Sequence, residues 1–149
     1  MTILADDYLD FWKHHYANVA VPEDELTDDM RASAADLLER INGLLAVFGH
    51  DRGLTSGWRP QSVNDYMREL HAKNPAAPNA ARTSKHITCN GCDVADSDGS
   101  LDAFIDANPD VLEQFGLWRE APGSTHGWCH LQNVQYGSWT EGKTRTFAP

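Results

Sequence analysis

"SKHITCNGCDVAD", residues 84–96, carries two metal-site readings on one short piece of backbone. Cys89 and Cys92 form a C-x-x-C of the kind that grips structural zinc or does redox chemistry. His86 and Asp93 bracket the same segment as a histidine and a carboxylate separated by six residues. Such a pair meets only if the chain turns back between them, as the ends of two adjacent antiparallel strands do. Asn90 and Gly91 are turn residues inside the interval, and "CDVAD" reads as a short buried strand leaving it. Strand, turn and strand here place a small antiparallel sheet in the second half of the chain.

A third ligand for the histidine and carboxylate reading comes from "GWCHLQ", residues 127–132. Strand alternation puts Trp128, His130 and Gln132 on one face and Cys129 and Leu131 on the other. If the first face looks at His86 and Asp93, three ligands close a site and leave one open position, which zinc catalysis requires. The thiol alternative would draw on Cys89, Cys92, Cys129 and His130, but neighbours on one strand point to opposite faces. A zinc ribbon also wants a second C-x-x-C, and a redox C-x-x-C opens a helix rather than preceding a strand. The plainest reading of the cysteines is as small buried hydrophobes. "HGWCH" sets His126 and His130 four apart without the glutamate of H-E-x-x-H. No G-x-S-x-G or phosphate-cradling loop occurs, and "DVADSDGSLD" lacks the closing glutamate of a calcium loop.

Outward from these segments, the pattern predicts helices first and short strands later. Tyr8, Phe11, Trp12 and His15 recur at helical spacing over 5–17. A longer helix follows Thr27, a plausible N-cap, and repeats Met30, Ala34, Leu37, Leu38, Ile41, Leu44, Leu45 and Phe48 on one face until Gly49. "GLTSGWRP" reads as a short strand, "QSVNDYMRELHAKN" as a third helix, and 74–83 as a loop of the kind that borders binding sites. Ser100 is a possible cap for one or two short helices broken at Pro109, and strand-like pieces follow at "LWRE", "WCHLQ" and "TRTF". The expected class is α+β: a small antiparallel sheet flanked by helices, with two N-terminal helices.

A chain of 149 residues with 41% hydrophobic and 23% charged residues is expected to form one domain over 1–149. The formal charge of -10, with no basic cluster, argues against nucleic-acid binding. The acidic opening "MTILADDYLDFWKHHY" is unlike a secretory signal, and no window is long and apolar enough to insert in a membrane. Synthesis in the cytoplasm without a signal peptide is therefore the expectation. Three cysteines cannot all pair within one chain, which disfavours a disulfide framework.

"TSGWRP", "SKH", "CDVADSDGSL", "GWCHLQ" and a terminal "TRTFAP", in this order, resemble the zinc D-alanyl-D-alanine carboxypeptidase and L-alanyl-D-glutamate endopeptidase family, in particular its small phage-encoded members. The match spans roughly the last 100 residues, and the N-terminal helices carry no motif of it. The resemblance implies a DD-peptidase or hedgehog-like fold and a Zn2+ cofactor held by His86, Asp93 and His130. It also implies Arg59 as the residue that binds substrate or polarises its carbonyl, and Ser84 as a substrate-binding serine. The implied substrate is a peptidoglycan stem peptide, cut by a monomer acting at the bacterial cell wall after release or as part of a virion. Two positions depart from the family pattern. The glycine usually found three residues after the first histidine is Cys89, and the Glu or Asp expected three residues before the third ligand is Gly127. Glu120 and His126 are the available substitutes for that base, Glu120 only if the "APGST" loop brings it back to His130. The alternative is a zinc-binding module of the same fold with impaired catalysis, serving cell-wall binding or virion structure.

Overall fold

In the computed structural model, which describes residues 2–149, the stretch predicted as one helix over 5–17 is two: α1 at Ala5–Leu9 and α2 at Lys13–Tyr16. The break has a cause. A continuous helix would offer the Tyr8 carbonyl to the Trp12 N–H, but that carbonyl accepts instead from the Trp58 N–H at 3.0 Å. Gly57 permits the approach, because a Cβ there would stand 2.3 Å from the Tyr8 carbonyl oxygen.

The long predicted helix is α3, Asp28–Phe48, with Thr27 Oγ1 accepting the Met30 N–H at 3.1 Å and Gly49 ending it. Ala34, Leu37, Leu38, Ile41, Leu44 and Leu45 are its buried stripe, and each leucine or isoleucine so covered contributes about 1.5–3 kcal/mol. β1 at Leu54–Ser56 and α4 at Gln61–Lys73 follow, then β2 at Gly91–Ala95, α5 at Ser100–Ala107 and α6 at Asp110–Phe115. Ser100 is the first residue of α5 and not its cap. The Asp96 carboxylate fills that role, accepting the Leu101 and Asp102 N–H groups at 2.9 Å each. β3 at Trp118–Glu120, β4 at Trp128–Gln132 and β5 at Thr146–Phe147 complete the chain.

The class is α+β, with strand order β1-β2-β4-β3-β5. The sheet is mixed where an antiparallel one was expected: β1, β2, β4 and β3 pair antiparallel, but β5 runs parallel to β3. The reason is the connection. A chain that reverses after β4 and passes β3 to reach its outer edge must run in the direction of β3. One sheet face, through Cys92, Val94, Cys129 and Leu131, joins the core built on α3. No helix among the described residues is long and apolar enough to cross a membrane.

The segment before β2 also differs from expectation. Residues 85–89 are a turn and not a strand. The Lys85 carbonyl accepts from both the Asn90 and Gly91 N–H groups, at 2.9 and 3.0 Å, and Cys89 takes a left-handed backbone at φ 60. A left-handed residue followed by such a long-reach bond is how helical turns are closed, usually with glycine. The turn therefore pivots on Cys89, and Gly91 already belongs to β2.

Candidate metal centre

The β2 and β4 register sets Asp93 directly opposite His130 on the face turned away from the core. Opposite residues of an antiparallel pair bring their Cβ atoms within about 4.5–5.5 Å, so the two side chains meet without strain. Asp93 Oδ1 lies 2.8 Å from His130 Nδ1. His86 reaches the same oxygen from the turn, its Nε2 3.2 Å away. Both imidazoles are buried, at 5% and 8% exposure, so their contacts are made largely out of water.

Backbone contacts fix His86. Its N–H donates to Ser84 Oγ at 3.2 Å, its carbonyl accepts from the Arg59 N–H at 3.1 Å, and the Trp58 indole donates to the next carbonyl, Ile87, at 3.1 Å. Its Nδ1 lies 2.8 Å from the Gly57 carbonyl. A carbonyl only accepts, so Nδ1 carries the proton of the neutral ring and Nε2 presents its lone pair to Asp93. His130 is held likewise, its Nε2 3.0 Å from Gln132 Oε1 and its Nδ1 toward Asp93. Gly91 leaves room for that ring: a Cβ there would stand 2.9 Å from His130 Cε1. Phe147 of β5 meets His130 edge-on and packs on Tyr136, adding an aromatic wall.

Two imidazole lone pairs and one carboxylate oxygen thus face one another, an arrangement that repels itself unless a cation lies among them. Protons can serve. Burial by itself raises the Asp93 pKa, but the charge of His86 and the hydrogen bonds from both rings outweigh it and hold the carboxyl well below its usual range. Burial likewise favours the neutral form of His130, yet Asp93, Gln132 and Glu120 together raise its pKa. A metal ion can serve as well. The three ligand atoms lie within 4.8 Å of one another, and no other group of three such side chains occurs among the described residues.

Glu120 is brought to this face. Trp118 pairs with Gln132 and Arg119 with Leu131, and continuing that register sets Glu120 opposite His130. The short helical turn at Pro122–Ser124 in the "APGST" loop makes the reversal. Burial raises the Glu120 pKa first of all, with Asp93 adding to the shift while His130 and His86 oppose it. His126 is not part of the metal-capable group. It is exposed, lies four residues up the chain from His130, and borders a cleft with Asp96, Ser97 and Asp98.

Arg59 is tied to His86 through its backbone N–H, and its guanidinium Nη1 lies 3.3 Å from Asn64 Oδ1. Burial lowers its pKa from the ordinary value, and the nearby Asp93 and Tyr16 oppose that shift. It also lines a pocket of 170 Å3 walled by Phe11, Trp12, Tyr16, Val63 and Met67. Ser84 makes the turn contact to His86 described above. Cys89, Cys92 and Cys129 are free thiols buried in the apolar core, and burial pushes Cys89 up to about 12. They take no part in the metal-capable group.

Gln132 and the Gly57 carbonyl are the site components that the residue pattern did not single out. Alternation had set Gln132 on the His130 face, but the reach of its amide to Nε2 is a three-dimensional fact. Compared with known proteins, the chain matches no family model, no curated protein and no solved structure.

Proposed function

We propose that this protein is a zinc-dependent peptidase that hydrolyses peptidoglycan stem peptides on a DD-peptidase-like fold. The observation that carries the reading is the convergence of His86 Nε2, Asp93 Oδ1 and His130 Nδ1, with the Glu120 carboxylate on the neighbouring strand. The donor set suits zinc. Two imidazole nitrogens and one carboxylate oxygen are ordinary zinc ligands, and a tetrahedral site with bonds of about 2.0–2.1 Å has edges of about 3.3 Å. The contacts of 2.8 and 3.2 Å to Asp93 are close to such edges, and the three ligand atoms lie within 4.8 Å of one another.

Zinc, when bound with an open position, supplies a Lewis acid that acidifies water near neutral pH. The chain supplies the rest. Glu120, with its raised pKa and its place opposite His130, takes the proton from water and passes it to the leaving amine. Arg59 has Asn64 as its one side-chain partner among the described residues, so its guanidinium is available to a substrate carbonyl or carboxylate. The aromatic wall of Tyr136 and Phe147 and the pocket beside Arg59 border the space where a peptide would lie. Action at the bacterial wall after release, or as a virion component, follows from the motif resemblance.

A second reading, a zinc-binding module without hydrolysis, is favoured by Gly127. It has a backbone φ of 100, so a glutamate there would be strained even though the space around it is open. The test is release of free amino groups from purified peptidoglycan by zinc-loaded protein. Glu120→Gln should keep one equivalent of zinc and lose roughly 10²–10⁴-fold in rate, whereas His130→Ala should lose both. Wild-type protein with one zinc and no release would leave the binding-module reading, and wild-type protein that takes up no zinc would overturn both.

A further inference from the structure

We propose that Gln132 is a positioning residue that dictates which nitrogen of His130 faces the metal, a proposal that rests on the metal reading above. Gln132 is buried, at 3% exposure, two residues after His130 on β4 and on the same face. Its amide has two partners. Nε2 donates to the Val134 carbonyl at 2.8 Å, and Oε1 lies 3.0 Å from His130 Nε2.

The Val134 carbonyl can only accept a hydrogen bond, so it orients the amide with the NH2 group toward itself and the oxygen toward His130. That oxygen can only accept, so His130 Nε2 must carry a proton. A neutral imidazole has one, and Nδ1 is therefore left with the lone pair that points at Asp93. The alternative tautomer is a real competitor. Asp93 Oδ1, 2.8 Å from Nδ1, would accept a proton from that nitrogen and turn the ring into a donor instead of a ligand. Gln132 holds the proton on the far nitrogen, so that Nδ1 is available to the ion.

The choice of glutamine follows from the two partners. Glutamate would still accept from His130, but its second oxygen would face the Val134 carbonyl. Methionine, of similar length, would neither accept from His130 nor donate to Val134, and would leave a buried ring N–H and a half-buried carbonyl without their partner. These two substitutions separate positioning from mere packing. Partners that orient a ligating histidine are worth about 10–100-fold in metal affinity. Gln132→Met should therefore weaken zinc binding by about that factor, while Gln132→Glu should hold zinc within a few-fold of wild type even though it lowers the melting temperature.

The experiment measures zinc affinity by competition with a chromophoric chelator for wild type, Gln132→Met and Gln132→Glu. It adds 15N-edited NMR of the zinc-loaded wild type to locate the His130 ring proton. The expected result is a protonated Nε2 in zinc-loaded wild type together with the order wild type ≈ Glu variant, both tighter than the Met variant. A proton on Nδ1 with zinc on Nε2 would overturn the proposal, as would equal weakening by both variants or no weakening by Met. If the Met variant does not fold, the wild-type NMR and the Glu affinity still decide. Wild-type protein that binds no zinc would overturn the metal reading itself, whereas zinc binding without hydrolysis would leave this proposal standing.

Discussion

The β2 and β4 ladder has two faces made from alternate residues of the same two strands. On one, Cys92, Val94, Cys129 and Leu131 are buried in the core with α3. On the other, Asp93, His130 and Gln132 are joined by hydrogen bonds and meet His86. The backbone is common to both, and only the parity of the residue number separates them. The first face gains from leaving water. The second loses from it, since burying a carboxylate and two imidazoles is unfavourable unless they are paired or hold a cation. Stability and chemistry are thus divided along the strand, residue by residue.

The largest expected effect tests that division from the core side. Leu131 is fully buried between His130 and Gln132 on its strand, so Leu131→Ala should destabilise by about 2–5 kcal/mol. Urea unfolding would read the loss, while the folded fraction should still bind one zinc. A folded Leu131→Ala protein without metal would show that the faces are not separable.

A smaller effect probes the polar face through pH. In metal-free protein Asp93 has a depressed pKa, so its contribution is present above the ordinary 3.8 and is lost as pH falls through the depressed value. His130 has a raised pKa, so its contribution is full below the ordinary 6.5 and is lost as pH rises through the raised value. Zinc reverses the second trend, because it binds the deprotonated rings. The gap in melting temperature between zinc-loaded and chelator-treated protein should therefore widen from mildly acid to mildly alkaline pH. Leu131→Ala should lower both curves and leave the widening intact. A gap independent of pH would mean that zinc does not displace protons from these ligands.

Parity was legible in the sequence because alternation is local: Trp128, His130 and Gln132 against Cys129 and Leu131 needs only the strand itself. The α3 stripe was legible for the same reason, its period and both ends being carried by neighbouring residues. What could not be read depends on partners distant in the chain. Glu120 comes opposite His130 through pairing register, and β5 lies parallel to β3 through the path of a connecting segment. The break between α1 and α2 comes from Trp58 taking the Tyr8 carbonyl, forty-nine residues after Leu9 ends the helix. The turn holding His86 falls earlier than Asn90 and Gly91 suggest, because its own signal is unusual. Its left-handed residue is a cysteine, a type that seldom marks such a backbone.

Cys89 therefore connects the two faces, since its side chain lies in the core while its backbone closes the turn that carries His86. Its two roles oppose each other in energy. The left-handed backbone disfavours any side chain by about 1–2 kcal/mol, while the buried thiol contributes about 1 kcal/mol by area. Cys89→Ala keeps the strain and loses the sulfur, so it should destabilise by about 1 kcal/mol. Cys89→Gly loses the same sulfur but relieves the strain, and should melt above the alanine variant and close to wild type. Thermal unfolding of the pair in chelator gives the order directly. An alanine variant more stable than the glycine one would mean that the turn is not left-handed at residue 89 in solution. The way His86 is delivered to Asp93 would then need another backbone path, while the β2 and β4 pairing that delivers His130 would be untouched.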